Sequence, residues 1–156
     1  MSTINFKDAD ALSAQISEEF GDWSNQIAIS QDDINAFAEL TGDHMWMHVD
    51  VERCAKESPF GTTIVHGFLL LSSLPKLQSA PECISQISGF SHMMNYGSDK
   101  LRFLGAVPVD TSIHARSRIK AVDVSESKTK VTMETHVHIV DQERPALIYE
   151  IAFVYM

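Results

Sequence analysis

The sequence is short of cysteine, of basic residues and of long apolar runs. Its two cysteines, Cys54 and Cys83, are too few for a disulfide framework and lack the CxxC spacing of a zinc ribbon. Such usage argues against a small secreted scaffold and fits a reducing cytoplasm. No stretch approaches the ~18 consecutive apolar residues of a membrane span. Met1 to Asp10 also lacks the basic region and apolar stretch of a signal peptide, so the chain reads as soluble and unprocessed. Only 12 Lys and Arg stand against 21 Asp and Glu, a formal charge of −9. That field repels nucleic-acid phosphates and anionic lipid headgroups unless cations cluster locally, so neither is expected as a partner. Repeats, low-complexity tracts and Pro/Gly/Ser-rich linkers are missing as well. What is there is 156 residues, 44% hydrophobic and 21% charged, the composition of a globular chain with one core. Residues 1–156 read as a single domain.

The first half has helical and loop-like patterning. Ala9, Leu12, Ile16 and Phe20 recur at helical spacing over Asp8 to Phe20, and Ile27 and Ile29 alternate around Ala28 as in a strand. Ser30 is placed as an N-cap with Asp33 in the capping-box position. The helix it opens has Ile34, Phe37, Ala38 and Leu40 on its apolar face and ends at Thr41-Gly42. Asp50 to Lys56 is a second short helix, broken by Ser58-Pro59-Phe60-Gly61. From Thr62 to Leu77 apolar residues cover nearly every side, the pattern of an enclosed helix that Pro75 is positioned to kink.

The second half alternates. Ile113 to Ala121 and Val131 to Ile139 each put apolar or small residues on one face and polar ones on the other, so each should have one wet face. Ala146 to Met156 is apolar on both faces apart from Glu150, as a strand buried on two sides would be. A buried helix followed by antiparallel strands is an α+β layer, a sheet wrapped on a helix.

Chemistry concentrates in Thr41 to Asp50, where two histidines and two aspartates share a decapeptide. An acid and a base a few residues apart can hold one water and take its proton as it attacks an electrophile, and Asp43 and His48 are that pair. The competing reading makes Asp43 a turn or cap residue and His48 a solvated loop histidine. His44 and His48 have i, i+4 spacing, but no HExxH glutamate or third ligand accompanies them, so no metal is expected. At His66-Gly67 the loop enters the apolar helix. There the Gly67 amide could face a developing oxyanion, or the glycine could serve close packing alone. Lys76, Lys100, Arg102, Arg116, Arg118 and Lys120 hold half the positive charge, either for phosphates or as solvated strand faces. Met45, Met47, Met93 and Met94 read as core or pocket lining.

Two segments together, Phe37-Ala-Glu-Leu-Thr-Gly-Asp43-x4-His48-Val-Asp50 and Phe60-Gly-x-x-Ile64-x-His66-Gly67, resemble the hydratase-2 motif of MaoC-like (R)-specific enoyl-CoA hydratases and dehydratases. The nodulation-protein-N-like branch is the most similar, through Trp46, Asn95-Tyr96-Gly97 and Arg102-Phe103. The resemblance is detailed from about Trp23 to Val109. It implies a hot-dog fold, a curved antiparallel sheet around a long apolar helix, paired as a homodimer. It also implies that Asp43 and His48 activate water, that the Gly67 amide binds the thioester oxygen, and that Trp46, His66, Asn95, Tyr96, Gly97, Lys100 and Arg102 contact substrate. The implied substrate is an acyl-CoA or an acyl carrier protein thioester, with no metal or redox cofactor. Met45 departs from the branch, which has Gln there, and methionine is a poor hydrogen-bond partner. Thioester hydrolysis on the same fold, or acyl binding without turnover, are the rival readings. If the carrier is CoA, some of Lys76, Lys100, Arg102, Arg116 and Arg118 should gather at the cleft mouth against the global charge.

Overall fold

A computed structural model describes residues 3–156. In chain order its elements are β1 (Ile4–Asn5), α1 (Ala9–Ser13), α2 (Gln31–Thr41), α3 (Trp46–Val49), α4 (Val51–Glu57), α5 (Gly67–Ser72), α6 (Leu74–Leu77), α7 (Glu82–Gln86), β2 (Ile87–Ser88), β3 (Met93–Phe103), β4 (Ile113–Val124), β5 (Thr129–Ile139) and β6 (Leu147–Tyr155). The four long strands form an antiparallel sheet in the order β3-β6-β5-β4. Register shifts at Asn95/Gly97, Ser98/Lys100 and Ile119/Ala121 bend it, as bulges do. The inner face carries Ile113, Ala115, Val137 and Leu147, which pack with Leu70 and Leu77 of the helical segment and with Ile34 of α2. A second cluster of Phe6, Leu12, Ile87, Ile119, Val131 and Tyr155 closes the other end. The α+β expectation of a curved sheet wrapped on an apolar helix is met. No helix among the described residues is long and apolar enough to cross a membrane, and Cys54 and Cys83 are free thiols.

Several local expectations change. The apolar helix begins at Gly67, not Thr62, because residues 63–65 are extended and bond outward: Val65 N–H donates to Val107 C=O at 2.8 Å. It is two pieces, with Ser73 between them, and Pro75 in the first turn of α6 lacks the N–H that would continue the ladder. It is not enclosed either, since Phe68 is 61% exposed. The helix expected over Asp8 to Phe20 stops at Ser13, and residues 16–27 instead run along the free edge of β4, with Ser17, Gly21, Ser24 and Ile27 amides donating to Ile119, Ser117, Ala115 and Ile113 carbonyls. Ile27 therefore makes an isolated bridge to Ile113, and Ile29 C=O accepts from Asp110 N–H, rather than the two forming a regular strand. Leu40 points to solvent at 83% exposure, and Met45, Met93 and Met94 are exposed rather than core.

The strand β4 keeps its alternation, but β5 does not have a wet face. Glu134 and His138 are buried because β5 is central and residues of the 16–27 segment lie over it. Phe20 packs on His136, while Trp23 stacks on His114 at 3.8 Å and meets His138 edge-on. β6 is central, as its two apolar faces require.

Candidate active site

The α2 helix brings the chain to the site. Its capping box forms as expected: Asp33 N–H donates to Ser30 Oγ at 3.2 Å, and Ser30 N–H to Asp33 Oδ2 at 3.0 Å. The Ser30 hydroxyl, which donates to the same Oδ2 at 2.7 Å, and the Ser30 N–H hold the Asp33 carboxyl below its usual range. At the other end Gly42 takes φ 80°, the left-handed cap that lets its N–H reach Ala38 C=O and turns the chain toward Asp43.

The decapeptide read as a loop contains the one-turn helix α3, which buries His48 to 9% exposure. His48 Nδ1–H donates to Ile64 C=O at 2.7 Å, which leaves Nε2 of the neutral ring as an acceptor. Gln31 fixes the same turn. Its Nε2 donates to His48 C=O at 2.8 Å, and its Oε1 accepts from Thr63 Oγ1 at 2.6 Å. Nothing in the sequence singles out Gln31, a polar residue in the first turn of an amphipathic helix.

His66 is 2% exposed, and its imidazole turns toward the protein. Its Nε2–H donates to the Asp43 main-chain carbonyl at 3.0 Å, and its ring stacks on His48 at 3.9 Å. His66 Nδ1 has no partner among the described residues. Asp43, His48 and His66 each offer a donor atom within 4.8 Å of the others. The two rings are only 26° from parallel, so their in-plane lone pairs run side by side instead of converging on one ion. The His44–His48 pair is not assembled, because His44 Nε2 lies 3.8 Å from Glu39.

Gly67 starts α5, so its amide is among the first N–H groups without an intrahelical partner. A Cβ there would lie 3.0 Å from two ring carbons of Phe103. His48, Ile64, Gly67, Leu70, Phe103 and Val107 line a cleft of about 340 Å³. Phe103 and Val107, like Gln31, were not singled out as site residues by sequence.

The other expected contacts lie elsewhere. Trp46 sits under the Arg53 guanidinium, 4.2 Å from the ring centroid. Asn95, Tyr96, Gly97, Lys100 and Arg102 belong to the exposed strand β3, and none lines the His48 cleft. Asn95 instead lines a second hollow, about 410 Å³, between the α5–α6 segment and the inner sheet face. The cations do not gather at the cleft. Alternation puts Arg116, Arg118 and Lys120 on the outer sheet face, where Arg118 pairs with Glu134 at 2.6 Å and Lys120 with Glu150 at 2.6 Å. Lys100 lies 3.9 Å from the same Glu150. Arg116 stacks on Trp23. Burial of Glu134 would raise its pKa, but hydrogen bonds from Arg118 and His136 outweigh it and hold the carboxyl below its ordinary value. The solvated-strand reading of these cations is closer, with ion pairing added.

The model of the MaoC like domain family matches residues 14–142. The chain is 38% identical over 146 residues to 3-hydroxyacyl-thioester dehydratase Z of Mycobacterium tuberculosis, covering 93% of each chain. It is 39% identical over 139 residues to nodulation protein N of Rhizobium leguminosarum bv. viciae, covering 86% of this chain and 82% of that protein. Among solved structures, the (R)-hydratase from A. caviae involved in PHA biosynthesis superposes with a TM-score of 0.66 at 24% identity, over 88% of this chain and 96% of that one.

Proposed function

The chain belongs to the MaoC-like domain family, and on that premise we propose that it is an (R)-specific 2-enoyl-thioester hydratase, which in reverse dehydrates (R)-3-hydroxyacyl thioesters. The observation that carries this reading is the placement of His48 beside both Asp43 and the start of α5 at Gly67. Donor atoms of Asp43 and His48 lie within 4.8 Å, and His48 and Gly67 line one cleft. A water held between the carboxylate and the free Nε2 loses a proton as its oxygen bonds to C3. A proton is delivered to C2, so H and OH add across the double bond. Charge that builds on the thioester oxygen meets the Gly67 N–H. The names of the dehydratase and hydratase relatives support the same reaction class. The scheme uses no metal or redox cofactor, and coenzyme A enters as part of the substrate.

The 410 Å³ hollow is proposed to take the acyl group, since its wall is largely apolar and it runs along the same α5–α6 segment whose start lines the cleft. The working unit is proposed to be a homodimer. β3 is a sheet edge paired on one side only, exposing Met93, Met94 and Tyr96, and such an edge calls for a cover.

The decisive assay follows loss of enoyl-thioester absorbance with crotonyl-CoA and longer enoyl-CoAs. Turnover should fall at least ~100-fold in both Asp43→Asn and His48→Ala. No turnover on any chain length, or unaffected variants, rejects the assignment. Free thiol release would identify a thioesterase, and stabilisation by acyl-CoA without turnover an acyl-binding module. A pantetheine thioester run beside its CoA counterpart reads whether the phosphates matter, given that the cations lie on the outer face.

A further inference from the structure

The 410 Å³ hollow along α5 and α6 is not uniformly apolar. Leu71, Leu74, Ile151 and Phe153 form much of its wall, but polar side chains also line it and fall into two sets. In one set the needs are met internally: Ser117 Oγ bonds Thr135 Oγ1 at 2.8 Å and Ser79 Oγ at 3.1 Å. The other set, half-buried Tyr149 with the exposed Asn95, Gln78 and Ser72, makes no side-chain hydrogen bond among the described residues and is met by water. Tyr149 projects from the inner face of β6, opposite Leu101 and Thr135, and its phenol, a donor at neutral pH like any tyrosine's, is raised above the ordinary value by burial. Gln78 ends α6 in the left-handed conformation at φ 47°, at the far end of the helical segment from Gly67.

A plain hydrocarbon tail in this hollow would strip water from the Tyr149 hydroxyl and return no hydrogen bond. An oxygen on the tail would replace the water. No lysine or arginine lines the hollow, so that oxygen must be uncharged. From Gly67 to Leu74 the helical rise is roughly 10 Å, which puts the polar set several carbons beyond the reacting double bond. Resting on the hydratase reading above, we propose that the natural acyl group carries a neutral oxygen function, a hydroxyl or ketone, distal to C3, bound by Tyr149 with Asn95 and Gln78.

The test compares ω-hydroxy-2-decenoyl-CoA and ω-hydroxy-2-octenoyl-CoA with their unsubstituted counterparts. The preferred hydroxylated thioester should exceed its counterpart in kcat/KM by ~10-fold or more, and Tyr149→Phe should shrink that ratio to within ~3-fold. Equal or lower turnover of both hydroxylated substrates, or a ratio that survives Tyr149→Phe and Asn95→Ala together, overturns the proposal. Calorimetric binding of saturated ω-hydroxydecanoyl-CoA against decanoyl-CoA asks the same question without turnover. Loss of turnover on every enoyl thioester therefore sinks the hydratase reading, whereas equal binding of this saturated pair sinks the acyl-class proposal.

Discussion

Substituting Gly67→Ala separates the two roles open to this glycine. The added methyl would meet the Phe103 ring at 3.0 Å, where carbon contacts prefer ~3.5–4.0 Å, so the ring must retreat by roughly half an ångström or more. Phe103 is 43% exposed and touches Phe68 edge-on with centroids 5.6 Å apart, so it has room to swing outward. The strain should therefore be near the low end of overpacking costs, about 1 kcal/mol, partly offset by the better helix propensity of alanine. Thermal unfolding should move by no more than about 4 °C. Activity should respond far more. If the Gly67 amide stabilises the oxyanion, a methyl beside it and a displaced ring in the same cleft should lower kcat by about 100-fold, the lower end of what one lost oxyanion donor costs. Steady-state kinetics on crotonyl-CoA beside a melting curve reads both. A kcat within ~3-fold of the parent would refute the oxyanion argument. Recovery of kcat in Gly67→Ala with Phe103→Ala would assign the glycine to packing against the ring.

Ser30→Ala removes the acceptor for the Asp33 amide and should cost about 1 kcal/mol in urea unfolding, with the loss of the Ser30 hydroxyl bond to Asp33 Oδ2 visible as a higher Asp33 pKa by NMR. Burial lowers the pKa of His114 and His138 below the unfolded value, so the unfolded chain takes up protons first as pH falls. Stability should drop below pH ~6.5, before carboxylates titrate; equal urea midpoints at pH ~7.5 and ~5.5 would contradict this. Arg118→Met leaves Glu134 buried without its main partner and should cost about 2–3 kcal/mol, less than a deep pair because His136 still bonds Glu134 Oε1 at 2.9 Å; adding Glu134→Leu should recover most of the loss.

Local rules in the sequence were enough for the capping box at Ser30, the Gly42 stop, the alternation of β4 and the two-sided burial of β6, because each depends on residues within a turn or a strand. The motif residues Asp43 and His48 were legible for a similar reason, lying five positions apart on one short connection. Contacts between distant segments decided the rest. His66 became a buried partner of Asp43 and His48 only because the start of α5 docks under the α2–α3 turn, 23 residues from Asp43 in sequence. Gln31 entered the site by bonding across 17 and 32 residues. The polar face of β5 looked wet because its cover, Phe20 and Trp23, comes from more than 100 residues upstream. The scarcity of positive charge in the composition has the same limit. Composition counts twelve cations, but alternation along the strands and the fold of the sheet send Arg116, Arg118 and Lys120 to the outer face, away from the cleft. Periodicity determines which residues share a face; only the packed tertiary structure determines what that face meets.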